Sequence, residues 1–157
     1  MLRLRIVAVS IYAAAFAGCS EPRIPAPQAI EGFIFTHSNA EDGLKLWLKS
    51  GGSPNAKNND GASLLYVATG PKGGNQVVKV LLKAGADPNV GRGSVTPLMN
   101  AATWANAEAV ALLLAAGANP LLKDESGRTA MQQVGTAGGR EQSVFDMLHQ
   151  AEKAARK

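Results

Sequence analysis

Two histidines, His37 and His149, and a single cysteine, Cys19, are the residues best suited to hold a metal or act as a nucleophile, and they stand far apart in the chain. A zinc-type site needs three or four such ligands at close spacing, as in HExxH or paired CxxC, and neither pattern occurs. No metal site and no cofactor are expected. Gly70-Pro71-Lys72-Gly73-Gly74 is rich in glycine but lacks the GxxxxGKS or GxxxxGKT spacing that cradles phosphate, and it follows a helical pattern rather than a strand, so it reads as a loop. Gly91-Arg92-Gly93 reads as a turn. Asp124 and Glu125 are adjacent carboxylates at another turn, where solvation is the default and an acid/base pair lacks a pocket. No Ser, His and Asp set has the strand-turn-helix context of a nucleophile. The chain is not expected to be an enzyme.

Cys19 has a different chemistry open to it. The first residues read MLRLRIVAVSIYAAAFAGCS: a basic start at Arg3 and Arg5, an apolar run over residues 6–17, then small residues before the cysteine. This is the layout of a secretory signal, and the run falls short of the roughly 20 residues a membrane-spanning helix needs. Phe16-Ala17-Gly18-Cys19 resembles the bacterial lipoprotein box. The resemblance implies that residues 1–18 are a signal peptide, that cleavage makes Cys19 the first residue, and that acyl chains on Cys19 hold the protein on a membrane. Ser20, rather than Asp, after the cysteine implies sorting to the outer membrane, with the protein in the bacterial cell envelope facing the periplasm. The alternative is an ordinary secreted protein with one buried or free thiol. A lone cysteine permits no internal disulfide, so packing alone must hold the domain together. Residues 19–29 carry Pro22, Pro25 and Pro27, which exclude a helix there and make an extended spacer.

Composition limits the rest. A chain of 157 residues, 46% hydrophobic, suits one domain with a modest core. The formal net charge of +4 includes Arg3 and Arg5; without them 14 Lys and Arg face 12 Asp and Glu, leaving +2. A phosphate-tracking protein concentrates its cations on one face, so nucleic acid is not an expected partner.

The elements that position side chains come from a repeat, most complete over residues 95–124. Thr96 is placed to cap a helix with Pro97 at its first position, where a missing N–H costs nothing. Leu98, Ala101 and Ala102 share one face at helical spacing. Asn106 is placed to cap a second helix with Val110, Leu113 and Leu114 as its apolar stripe, ending at Gly117, the residue type that adopts the left-handed conformation freely. Thr96 matches Ser63 and Thr129, 33 residues away on either side, and Leu98 matches Leu65 and Met131. The second half repeats as WLKSGGSPN, LLKAGADPN and LLLAAGANP, beginning at Trp47, Leu81 and Leu112.

A 33-residue period of a turn and two helices, with TPLMNAA from Thr96 and LLLAAGAN from Leu112, resembles the ankyrin repeat. The resemblance spans about residues 30–152 and implies an all-α, helix-turn-helix repeat solenoid of about four units with short β-turn fingers. The units are expected at about 30–58, 59–91, 92–124 and 125–152, the outer two as caps with one solvent face, followed by a basic tail at 153–157. Residues 26–38 should give a short first helix, Asn39 should cap the second, and Trp47 should be core. Turns at residues 55–61, 90–94 and 123–127 form the fingers. The loop over residues 69–75 is one residue longer than its counterpart and should depart from the family geometry.

The resemblance also implies a concave face, made by finger tips and the exposed side of the first helices, that binds a protein partner. Its candidate contacts are Asn59, Arg92, Glu125 and Arg128 on the fingers, with Ala62 and Val95 beside them, and Tyr66, Met99, Asn100, Thr103 and Trp104 on the inner helices. Trp104, flanked by Met99 and Tyr66, has the composition of an interface hot spot; alternatively it packs on its own loop. The expectation is a monomeric, non-catalytic binding module. Two roles fit: an inhibitor or immunity-type protein that holds a toxin or effector, and a scaffold for an envelope or periplasmic enzyme.

Overall fold

The computed structural model describes residues 40–71, 74–134 and 139–157. The expected signal peptide and spacer, Cys19, the helix expected over residues 26–38, its successor's expected cap Asn39, and Lys72 lie outside the described residues.

Six α-helices and one 3-10 turn follow one another among the described residues: α1 Ala40–Lys49, α2 Leu64–Ala68, α3 Asn75–Lys83, α4 Pro97–Thr103, α5 Ala107–Ala115, the 3-10 turn Met131–Gln133, and α6 Gly139–Ala155. The units stack in two layers. An inner row places α2 against α4 and α4 against the 3-10 turn, while an outer row runs α1, α3, α5, α6; α2 packs on α3 and α4 on α5 across the rows.

The starts and stops are set locally. Ser63 caps α2 by accepting the Tyr66 amide, Thr96 caps α4 by accepting the Met99 amide, and Asn106 caps α5 by accepting the Ala109 amide. Each bond satisfies one of the amides a helix start leaves without an internal partner. Past the ends of α3 and α5, Gly85 and Gly117 both take φ of 87°, a conformation that costs a residue with a Cβ but not glycine. The long loop leaves α3 with Gly74 as its cap and no side-chain bond.

The core runs through the stack. Leu44 and Trp47 of α1, Val78 and Leu81 of α3, Val110 and Leu113 of α5, and Val144 and Leu148 of α6 are buried, together with Leu64, Leu65, Leu98, Ala101 and Ala102 of the inner row. Small residues there let the two rows approach closely. Trp47 is core as expected; Gly52 makes room for its ring, since a Cβ at Gly52 would lie 2.4 Å from it. Leu114 does not sit where the apolar stripe placed it. It is half-buried at the edge of the core, and Leu113 alone of the pair is fully enclosed.

The last unit departs most from the pattern. Thr129 does not cap a helix: only the 3-10 turn follows, starting from Ala130 without a side-chain cap bond. The Thr129 hydroxyl instead donates at 2.7 Å to Glu152 of α6, whose buried carboxylate also accepts from Arg156 at 3.1 Å. α6 is long enough to carry this anchor, continuing to Ala155 into the segment expected as a tail. A capping unit has no outer neighbour, so a long final helix closes the stack.

Candidate binding groove

The fingers hold the tips of the inner face in place, and two of the three are built alike. Asn58 Oδ1 accepts the amides of Asp60 and Ala62, each at 3.0 Å, and Asp124 Oδ1 accepts those of Ser126 and Arg128, each at 2.9 Å. These are Asx turns, in which a short polar side chain bonds the backbone ahead of it. Gly91 occupies the same register in the middle finger and has no such oxygen. A Cβ there would lie 1.9 Å from the Val95 carbonyl oxygen, so glycine is required for the close approach. That finger closes through backbone pairing of Arg92 with Val95. Neighbouring fingers are joined: the Ser63 hydroxyl donates to the Val90 carbonyl at 2.6 Å, and the Glu125 amide donates to Ser94 Oγ at 3.1 Å.

Between the first two fingers and the inner helices lies a groove of about 330 Å³. Tyr66 from α2, Asn100 from α4, Trp104 at the end of α4 and Arg92 from the middle finger all line it, joined by Asp60 and Pro71. Asn100 is fixed, its amide nitrogen donating to the Tyr66 carbonyl at 2.9 Å and to Thr69 Oγ1 at 3.2 Å. Trp104 is 53% exposed. Among the described residues, neither its indole N–H nor the Tyr66 hydroxyl has a hydrogen-bond partner, and neither Asp60 nor Arg92 forms an ion pair. The groove therefore presents aromatic surface, unused donors and one charge of each sign.

Of the other expected contacts, Ala62 also lines this groove, and the rest lie outside it. Asn59 is exposed on the first finger. Thr103, Glu125 and Arg128 belong to the next stretch of the face, which is knitted into a polar network: Asp124 Oδ2 accepts from Arg128 Nη2 at 3.0 Å, from Arg128 Nε at 3.1 Å and from Gln133 Nε2 at 2.9 Å, and the Gln133 side-chain Oε1 lies 3.3 Å from the Thr103 hydroxyl. The amide and guanidinium of Arg128 hold the Asp124 carboxyl below the usual carboxylate range, with the Ser126 amide assisting. Met99 is not on the surface. It is 1% exposed, and its sulfur accepts the Thr96 amide at 3.4 Å, completing the cap of α4. Ala62 is likewise buried, and Val95 half-buried.

Sequence reasoning missed Asp60 and Pro71. Pro71 stands 33 residues before Trp104, so the period itself pairs them across the groove. Asp60 sits beside the expected Asn59 on the same finger.

A larger groove, about 790 Å³, opens on the outer row between α1 and α3. Its lining is aliphatic, with Leu46, Leu48 and Val80, and no aromatic side chain lines it among the described residues. His149 is far from either groove in register, stacked parallel on Phe145 of α6 with ring centroids 6.2 Å apart.

Two-helix units stacked in register, each touching its neighbours and presenting fingers along one edge, define a repeat solenoid, a class in which extended surfaces do the binding. A family model of ankyrin repeats, in three copies, matches residues 33–124, and the chain belongs to the ankyrin-repeat family. A search of curated proteins finds no match. Ankyrin repeats are protein-interaction modules.

Proposed function

We propose that this chain is a lipid-anchored binding module of the bacterial envelope that holds a protein partner in the groove between the first two fingers, acting as an inhibitor of a toxin or effector in the periplasm. The observation that carries the binding assignment is Trp104, a large aromatic left 53% exposed beside Tyr66, its indole N–H without a partner among the described residues. Exposed aromatics in a pre-formed recess are where interface energy concentrates. The rigid anchoring of Asn100 and of the fingers supports the same reading, because a pre-organised surface loses little entropy on binding. The signal-like N-terminus and the cysteine at position 19 support the envelope location and the acyl anchor.

The test is affinity capture from periplasm with the unlipidated protein as bait. A toxin or effector retained by the native groove and lost with Trp104→Ala is the expected result; recovery of a resident envelope enzyme instead would replace the inhibitor role with a scaffold. For the anchor, Cys19→Ser is expected to leave the membrane fraction or accumulate as precursor. Normal retention with fatty-acid labelling in that variant would remove the lipoprotein assignment.

A further inference from the structure

We propose that the groove on the outer row, between α1 and α3, is a second interaction surface whose occupant is the face of an anionic phospholipid bilayer. The inference stands on residues of α1 and α3 and does not depend on the reading of the finger groove. Its consequence is an orientation: a domain resting on its outer row keeps the inner face, with Trp104, open to a partner.

This joint differs from the next one along the row. Between α3 and α5 the surface is spanned by polar bonds: Glu108 accepts from Lys79 Nζ at 2.8 Å and from Asn75 Nδ2 at 2.6 Å, and the Asn106 amide nitrogen donates to Asn75 Oδ1 at 3.0 Å. Trp47, Leu81 and Leu113 are the equivalent buried positions of the three helices, so Lys45 stands where α3 has Lys79, and Gln76 stands where α5 has Glu108. The carboxylate that would cross from α3 to α1 is replaced by a neutral amide, and Lys45 pairs with Glu41 of its own helix. What lies between α1 and α3 is an apolar recess walled by Leu46, Leu48 and Val80, with Lys49 and Lys83 beside it in the last turns of the two helices. Neither of these two lysines forms an ion pair among the described residues, and Asp42 is the one carboxylate among the lining residues.

Shape and charge together favour lipid. The two helices have 10 and 9 residues, so the recess runs for about 15 Å. That length receives only two or three turns of a partner helix, a small contact beside the roughly 800 Å² per partner of a stable protein interface. Leu46 projects from the rim, 57% exposed. A fluid bilayer closes around such a projection and fills the recess behind it, which a rigid partner does only with a matching shape. Membrane-surface sites place apolar side chains at the headgroup boundary and let lysines lay their stems on apolar surface with the ammonium at the phosphates. Anionic lipid is the matching charge, and each lysine close to such a surface raises partitioning by about fivefold.

The experiment uses the chain from position 19 onward carrying Cys19→Ser, which retains every described residue and excludes any acyl chain. It is sedimented with vesicles of equal parts phosphatidylglycerol and phosphatidylcholine, and with vesicles of phosphatidylcholine alone. Binding to the first and not the second is expected, weakening as salt is added. Lys49→Gln with Lys83→Gln should lower partitioning by roughly 20-fold, the product of two such factors. Leu46→Ser should lower it at an unchanged melting temperature. Lys123→Gln with Lys153→Gln, which removes the same charge from exposed positions elsewhere, should leave binding nearly intact. No sedimentation with the anionic vesicles, equal sedimentation with both kinds, or an equal loss from the two lysine pairs overturns the proposal. A protein partner whose capture is lost with Lys49→Gln and Lys83→Gln while the vesicles stay unbound assigns the recess to protein, and overturns it too. Failure here is separable from failure of the finger groove, since Trp104→Ala is expected to abolish partner capture and to leave vesicle binding unchanged.

Discussion

Asn100 and Tyr66 are 34 residues apart and joined directly, the Asn100 amide nitrogen donating to the Tyr66 carbonyl at 2.9 Å. The acceptor belongs to the five-residue α2, whose C-cap Thr69 already reaches it with its backbone amide at 3.2 Å and its hydroxyl at 2.7 Å. A side chain from the next unit adds a bond to the same carbonyl, and that bond fixes the floor of the groove.

Asn100→Ala is therefore expected to loosen the joint between the second and third units. The Tyr66 carbonyl keeps the Thr69 hydroxyl at 2.7 Å, so no buried acceptor is orphaned and the loss is that of the two Asn100 hydrogen bonds, to the Tyr66 carbonyl and to Thr69 Oγ1, about 2 kcal/mol. Urea denaturation reads it as a lower midpoint at unchanged slope. An unshifted midpoint would mean that the bond is idle.

Leu113 and Leu114 separate burial from mere apolarity. Leu113 is 0% exposed between neighbouring outer helices, and Leu113→Ala is expected to cost about 2–5 kcal/mol through lost transfer energy and a cavity. Leu114 is half-buried, and its truncation should cost clearly less. A larger loss for Leu114→Ala by calorimetry would put the register of α5 in error.

Which parts of this were legible in the sequence follows from how local their causes are. Thr96, Pro97, Asn106 and Gly117 act on the backbone within a few residues, and each does what its type implies. Met99 fails because a seven-residue helix was read as having a narrow apolar stripe. At about 100° per residue, Pro97, Ala101, Leu98, Ala102 and Met99 fill one continuous arc of roughly 200°, leaving Thr103, Asn100 and Trp104 the remainder. Laid out that way, the wheel places Met99 inside. Leu114 lies at the edge of its own stripe, where only the size of the neighbouring unit decides coverage. Thr129 matches the period perfectly, yet its hydroxyl serves Glu152, 23 residues on, a choice no local pattern records. In the groove, the aromatic and the asparagine were visible as outward positions, whereas Asp60 and Pro71 join only through the stacking of units.

Asp124 gives the molecule a pH dependence of known sign. Its folded pKa is lowered, so the unfolded chain takes up a proton first as the pH falls. The stability it contributes is fully present above the ordinary aspartate value of about 3.9 and is lost as the pH drops through that value toward the depressed one. Asp124→Asn should flatten this acid limb while keeping an oxygen to accept the Ser126 and Arg128 amides. The measurement is the denaturation midpoint followed from neutral pH into the acid range for both proteins; parallel curves would show that the carboxylate charge plays no part.

Trp104 carries the functional assignment and offers two readouts that can disagree. Its ring is more than half exposed and contributes little to the core, so Trp104→Ala should change stability by no more than about 0.5 kcal/mol, as is usual for surface positions. Removing a desolvated aromatic anchor from an interface commonly costs about 2 kcal/mol, or roughly 30-fold in affinity. The expected pattern is an unchanged melting curve together with a large loss of partner binding in calorimetric titration. Trp104→Phe, which keeps the flat face and removes the indole donor, should fall between the two and apportion the loss between stacking and the hydrogen bond. If Trp104→Ala instead melts the domain while the folded fraction binds at full strength, the ring is packing on the Pro71 loop and the interface lies elsewhere on the stack.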